Sequence, residues 1–248
     1  SAELLNMGAA QAAAYLCARS LLFVAGQLLV VGTAHVMELA LPLERALLTF
    51  DSDVVALDLD PQRWAALRAP VRPRRGPLLL RLLASLQERL GEILGAPPGS
   101  DMLAAGRTAQ RLGARLALVD LPVIPTLQRA WRALGWRERL ALARELLPPL
   151  LGAEALESGP AAGENPLATG DFSRELAEFA RRFPSLQREL IDRRDRHMAR
   201  RLVALMRDGQ RVAAVVGEGH LPGLERRLAC LSPEVVPLQR LLTLRGNE

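Results

Sequence analysis

The stretch Arg211-Val212-Ala213-Ala214-Val215-Val216-Gly217-Glu218-Gly219-His220 decides the reading of this chain. Arg211–Val216 reads as a strand whose apolar run Val212–Val216 stops at a glycine, as a buried parallel strand does. It is followed by the polar word Gly217-Glu218-Gly219-His220. The same Gly-x-x-His form stands far upstream, in Gly32-Thr33-Ala34-His35 behind the apolar run Leu28–Val31. Histidine is a common metal ligand and general base. Two loops of one form would bring two imidazoles to one place. Gly32 and Gly217 suit a sharp turn off a strand, and Gly219 suits a close approach of backbone to a ligand.

Working outward, strands alternate with helices. Val54–Leu59 reads as a second strand, and Asp60-Pro61 then supplies an N-cap and a proline at the first helical position. Leu116–Val119 is a third, with Asp120 at its end. Leu21–Ala34 suits two strands around a turn at Gly26. Val235-Val236 and Leu241–Leu244 read as edge strands. Helices are expected over Leu39–Thr49, Leu78–Leu94, Asp101–Leu112 (capped by Ser100 and closed by Gly113), Pro125 to about Leu151, and Ser185 to about Arg207. The leucine-rich helix Leu78–Leu94 is a packing helix or a face for a partner or membrane. Residues 152–170 read as a surface loop. Pro184 breaks the helix that Asp171 caps. The pattern is one α/β domain over residues 1–248: a mainly parallel sheet flanked by helices, with a large helical insertion at about 64–208 that one strand near 115–120 interrupts.

Composition excludes several functions. The net charge is +5, no lysine occurs, and 50% of residues are hydrophobic. The arginines are interleaved with acids rather than blocked together, and aromatics for stacking on bases are few, so specific nucleic-acid binding is not expected. No span is long and apolar enough to cross a membrane, and no signal peptide is recognisable. A cytoplasmic or membrane-associated protein is the expectation. Cys17 and Cys230 form no zinc motif and are expected reduced.

In parallel α/β proteins ligands bind beyond the carboxyl ends of the strands. The polar residues that land there are Thr33, His35, Asp58, Asp60, Asp120, Glu218 and His220. His35, His220 and one acid, Asp58, would suit a divalent transition metal with open positions. Asp58 or Glu218 is the candidate base. Asp58 is alternatively a helix-capping acid beside Asp60. Arg63, Arg129 and Arg194 are candidates for a substrate carboxylate or an oxyanion. Arg194 with Asp195 is alternatively a buried structural pair. Asp101 and Asp120 read as supporting acids or caps, and His197 as a surface or packing residue.

Across most of its length the chain resembles the TraB/PrgY family, related to Tiki and erythromycin-esterase-like proteins. The resemblance rests on ordered motifs. They are Val31–Val36 and Val54–Asp60 with Arg63; Gly99-Ser100-Asp101-Met102 and Val119-Asp120; and Pro125-Thr126-Leu127 with Arg129-Ala130. Arg194-Asp195 with Met198 and Val215–Gly223 complete the series. The resemblance implies a Tiki-like core in which the two Gly-x-x-His histidines and an acid bind a divalent metal, with manganese or cobalt favoured and zinc an alternative. It implies metallopeptidase-like hydrolysis of peptides, or alternatively a non-catalytic peptide-binding or membrane-complex regulator. A homodimer and membrane association of a longer protein are compatible with it. Three departures stand out: Asp58 where the family usually has Glu, Leu121 where Arg usually follows Asp120, and His197 where Tyr is usual.

Overall fold

The computed structural model describes residues 26–34, 39–69, 99–150, 178, 181–207 and 209–245. His35 and the helix expected at Leu78–Leu94 lie outside these residues. So do the loop 152–170, Cys17 and the strand expected before Gly26.

Five parallel strands form one sheet in the order β3-β2-β4-β1-β5. They are β1 (Leu28–Thr33), β2 (Val54–Leu57), β3 (Arg115–Leu118), β4 (Val212–Gly217) and β5 (Glu234–Val236). β1 and β2 are buried along their whole length. That burial explains why they read as unbroken apolar runs rather than as alternating ones. Thr33 pairs with Gly217 and Leu57 with Val215, so the carboxyl ends of β1, β2 and β4 share one edge. The connection leaving β1 heads toward β2, while that leaving β4 heads the opposite way toward β5. Opposed connections of this kind open a crevice at the carboxyl edge.

The chain divides into two compact units. The first, Ser1–Pro122 with Asp195–Glu248, holds the sheet. On one face, alternate strand residues (Val30, Ala56, Ala214, Val216) meet Met198 and Leu202 of α6 (Arg193–Leu205), and Leu224 and Leu228 of α7 (Leu221–Leu228). Truncating a fully buried Leu202 to Ala in such a layer costs about 2–5 kcal/mol. Elsewhere in this unit α1 (Ala40–Phe50) packs on α3 (Ser100–Leu112) and on α8 (Leu238–Arg245), and α3 packs on β2. The second unit, Val123–Arg194, is helical. α4 (Val123–Ala133) is followed by α5 (Trp136–Leu150), and Ala130, Leu134, Phe183 and Leu186 form its core.

Helix ends follow local chemistry. Asp60 accepts hydrogen bonds from the amides of Gln62 (2.8 Å) and Arg63 (3.1 Å) and starts α2 (Pro61–Arg68), with Pro61 in the first turn. Gly113 closes α3 in the left-handed conformation, φ 66°.

Four expectations are corrected. Leu241–Leu244 is not an edge strand but part of α8. Pro237 ends β5, and Leu238 and Leu241 are buried at helical spacing. A short apolar run fits either state, and here burial at i and i+3 decides. Ser100 does not cap α3. Gly99, at φ 82°, leads into the helix and Ser100 is its first residue. The helix expected from Ser185 is interrupted by a π-helical turn, Gln187–Asp192. Cys230 is disulfide-bonded rather than reduced; sequence spacing does not show which sulfur a cysteine meets in space.

Candidate functional site

β4 delivers Gly217 to the sheet edge, and Glu218–His220 form one 3-10 turn that runs into α7. This turn aims the His220 ring inward. His220 is 5% exposed, Asp58 1% and Asp195 0%, so all three are removed from solvent. His220 Nδ1 lies 2.6 Å from Asp195 Oδ1, and Nε2 lies 3.6 Å from Asp58 Oδ2. A carboxylate at Nδ1 accepts the ring proton there, and in the neutral imidazole this leaves the Nε2 lone pair facing Asp58. The amide of Gly217 donates to Asp58 Oδ2 at 3.3 Å.

Asp195 comes from α6. Arg227 Nη1 stands 3.7 Å from its Oδ2 and also donates to the carbonyl of Gly223 at 2.9 Å. A Cβ built on Gly223 would sit 1.7 Å from Asp195 Oδ2. Glycine is required there to admit the carboxylate. Arg227 was not anticipated from the sequence: in an arginine-rich chain nothing in its neighbourhood marks it. The other glycine of interest, Gly32, does not take a left-handed turn. Its role is space, because a Cβ would lie 2.0 Å from Glu218 Oε2 and 2.4 Å from Leu221 Cδ1. Thr33 beside it is buried, with its hydroxyl donating to the Val216 carbonyl.

Glu218 is half-buried against β1. The Leu238 amide donates to its Oε2 at 3.0 Å. Burial pushes its pKa above the ordinary glutamate range, and the Leu238 hydrogen bond offsets only part of that.

A second group adjoins the first through Asp58. Arg63 Nη1 donates to the Asp58 carbonyl (3.3 Å) and pairs with Asp120 Oδ2 (3.1 Å). Asp120 Oδ1 accepts from the Leu121 amide at 2.7 Å. So Asp60, not Asp58, is the helix cap, which frees Asp58 for Gly217 and His220. His197 on α6 is half-buried. Burial lowers its pKa, helped by Arg201 and Arg200 and opposed by Asp120. Asp101 is fully buried in the first turn of α3. Gly219 lies within the 3-10 turn. Arg129, exposed on α4, and Arg194, whose Nη1 donates to the Leu190 carbonyl at 3.2 Å, belong to the second unit. His35 is outside the described residues. Among those residues no group of three His, Cys, Asp or Glu side chains is placed to hold a metal.

The protein is a parallel α/β domain with a buried Asp195–His220–Asp58 line beside the carboxyl edge of its sheet. Residues 25–234 match the model of the TraB/PrgY/gumN family, and the chain belongs to that family. It is also 29% identical over 212 residues to the uncharacterized protein MJ1365 of Methanocaldococcus jannaschii. That match covers 80% of this chain and 52% of the archaeal protein, so the chain spans about half the length of the curated relative. No helix among the described residues is long and apolar enough to cross a membrane.

Proposed function

We propose that the carboxyl edge of the sheet is a divalent-metal hydrolase site acting on peptide bonds. One observation carries this reading. His220 is held from behind by a buried carboxylate and presents Nε2 to a second one. The 3.6 Å between Nε2 and Asp58 Oδ2 is long for an N–H···O hydrogen bond, which runs about 2.7–3.2 Å. It is near the roughly 3.0–3.5 Å that separates two ligand atoms each about 2.1 Å from one cation. His220 and Asp58 therefore fit as two ligands, with Asp195 fixing the ring as carboxylates behind metal-bound histidines do. His35, which follows the β1 segment by two residues in the sequence, is the third expected ligand. Manganese or cobalt is the expected ion, with zinc as the alternative.

A cation so bound would polarise a carbonyl and supply an acidic water. The chain's own residues do the rest. Asp195 keeps a proton on Nδ1 and prevents rotation of the ring. The Gly217 amide satisfies a lone pair of Asp58 and aims its carboxylate. Glu218, whose proton affinity burial raises, is the candidate base. Arg63 is paired with Asp120, and its part is to hold the Asp58 backbone.

A second reading is favoured by the same buried line. An imidazolium between Asp195 and Asp58 would be a structural ion triad of a binding protein. Titration of the chelator-treated chain with manganese separates the two. The hydrolase reading expects binding that His220→Ala and Asp58→Ala each abolish, and manganese-dependent cleavage of a peptide library. Unchanged binding in both variants contradicts it.

A further inference from the structure

We propose that the α4–α5 face of the second unit lies on an anionic lipid surface. This inference is independent of the metal site. Trp136 is 71% exposed, Trp131 53%, Leu140 47% and Ile124 38%. They lie on two successive helices, two on each. Ile124 and Trp131 are seven residues apart on α4, and Trp136 and Leu140 are four apart on α5, so each pair shares a helix face. Arg139 joins the two faces. Its guanidinium covers the Trp131 ring at 5.6 Å and donates to the Trp131 carbonyl at 3.3 Å. Arg137 covers the Trp136 ring at 5.2 Å.

Charge complementarity selects the partner. Glu138 lies between these arginines, but both its oxygens are turned to amides, Oε2 to Gly135 (3.0 Å) and Oε1 to Ser185 (2.9 Å). Arg137 and Arg139 are exposed, and that acid is engaged by amides rather than by either guanidinium. Nucleic acid would stack its bases on open indole faces, and here an arginine already occupies one face of each indole. Indole edges, two aliphatic side chains and flanking guanidiniums match instead the level of a bilayer where headgroup phosphate meets acyl chain.

The test uses the 248-residue chain and two vesicle types, phosphatidylcholine alone and phosphatidylcholine with phosphatidylglycerol. The chain's +5 charge alone would draw it to the second, so the deciding variant, Trp131→Ala/Trp136→Ala, leaves charge unchanged. The proposal expects co-sedimentation with the anionic vesicles and a roughly tenfold loss of partitioning in the double variant, since such binding scales with buried apolar area. Leu140→Ser should weaken it in the same direction. In the unmodified chain, brominated lipid should quench tryptophan emission, a readout that needs no variant. Partitioning equal in all three proteins, or no quenching, overturns the proposal. So does self-association that the tryptophan variant dissolves without any vesicle binding, which would assign the face to a second copy.

Discussion

The Asp195 carboxylate occupies the space that a side chain at position 223 would fill, with Oδ2 1.7 Å from where a Cβ of Gly223 would stand. Two helices distant in sequence are thus keyed to each other at the residue that supports His220. Helical Gly→Ala changes ordinarily stabilise by up to about 1 kcal/mol. Gly223→Ala should do the opposite, lowering the melting temperature and weakening manganese binding together. A rise in melting temperature would show that Asp195 does not need this space.

Asp58 and Asp60 are expected to separate cleanly. Asp60→Ala removes a helix cap and should cost about 1 kcal/mol of stability, as N-cap losses do, while manganese affinity stays close to normal. Asp58→Asn should abolish metal binding. Denaturant unfolding and calorimetric titration of both variants check this, and reversed assignments would contradict the roles given to the two acids.

Asp195→Asn keeps the shape but weakens the acceptor at His220 Nδ1. Losing the partner behind a metal-bound histidine typically costs about 10–100-fold in metal affinity. That size of loss is expected, with the ion still bound at high concentration. No loss at all would mean that Asp195 serves packing alone.

Glu218 sets a pH dependence of stability. Its folded pKa is raised by burial, with the Leu238 hydrogen bond partly opposing. Its contribution is fully present below the ordinary glutamate range and is lost as pH rises through the raised value. Glu218→Gln should remove this slope and stabilise the protein above that window, because Gln still accepts from the Leu238 amide. Unfolding curves at a series of pH values test it; an unchanged slope would falsify the assignment to Glu218.

Much of the sheet was legible because parallel strands buried on both faces leave unbroken apolar runs, as at Val212–Val216 and Val54–Leu57. The Asp60-Pro61 start of α2 was equally clear, since its cap and proline act locally. Leu241–Leu244 was not: four apolar residues fit either period, and only burial against the rest of the unit decides. The site was partly legible. His220 and Asp58 stood out as polar residues at the ends of apolar runs, and Asp195 only as the partner of Arg194 in a family-like motif, but their mutual placement depends on strand register and on a glycine gap at Gly223. Arg227 carries no local mark, and the buried setting of Glu218 arises from β1 and Leu238, far away in sequence.

The most direct test of the central claim is a crystal of the full chain grown with cobalt and measured at the cobalt absorption edge. The account predicts an anomalous peak about 2.1 Å from His220 Nε2 and from an Asp58 carboxylate oxygen, a typical metal–ligand distance. No peak between them, with Nε2 drawn into a hydrogen bond with Asp58, would contradict the metal site.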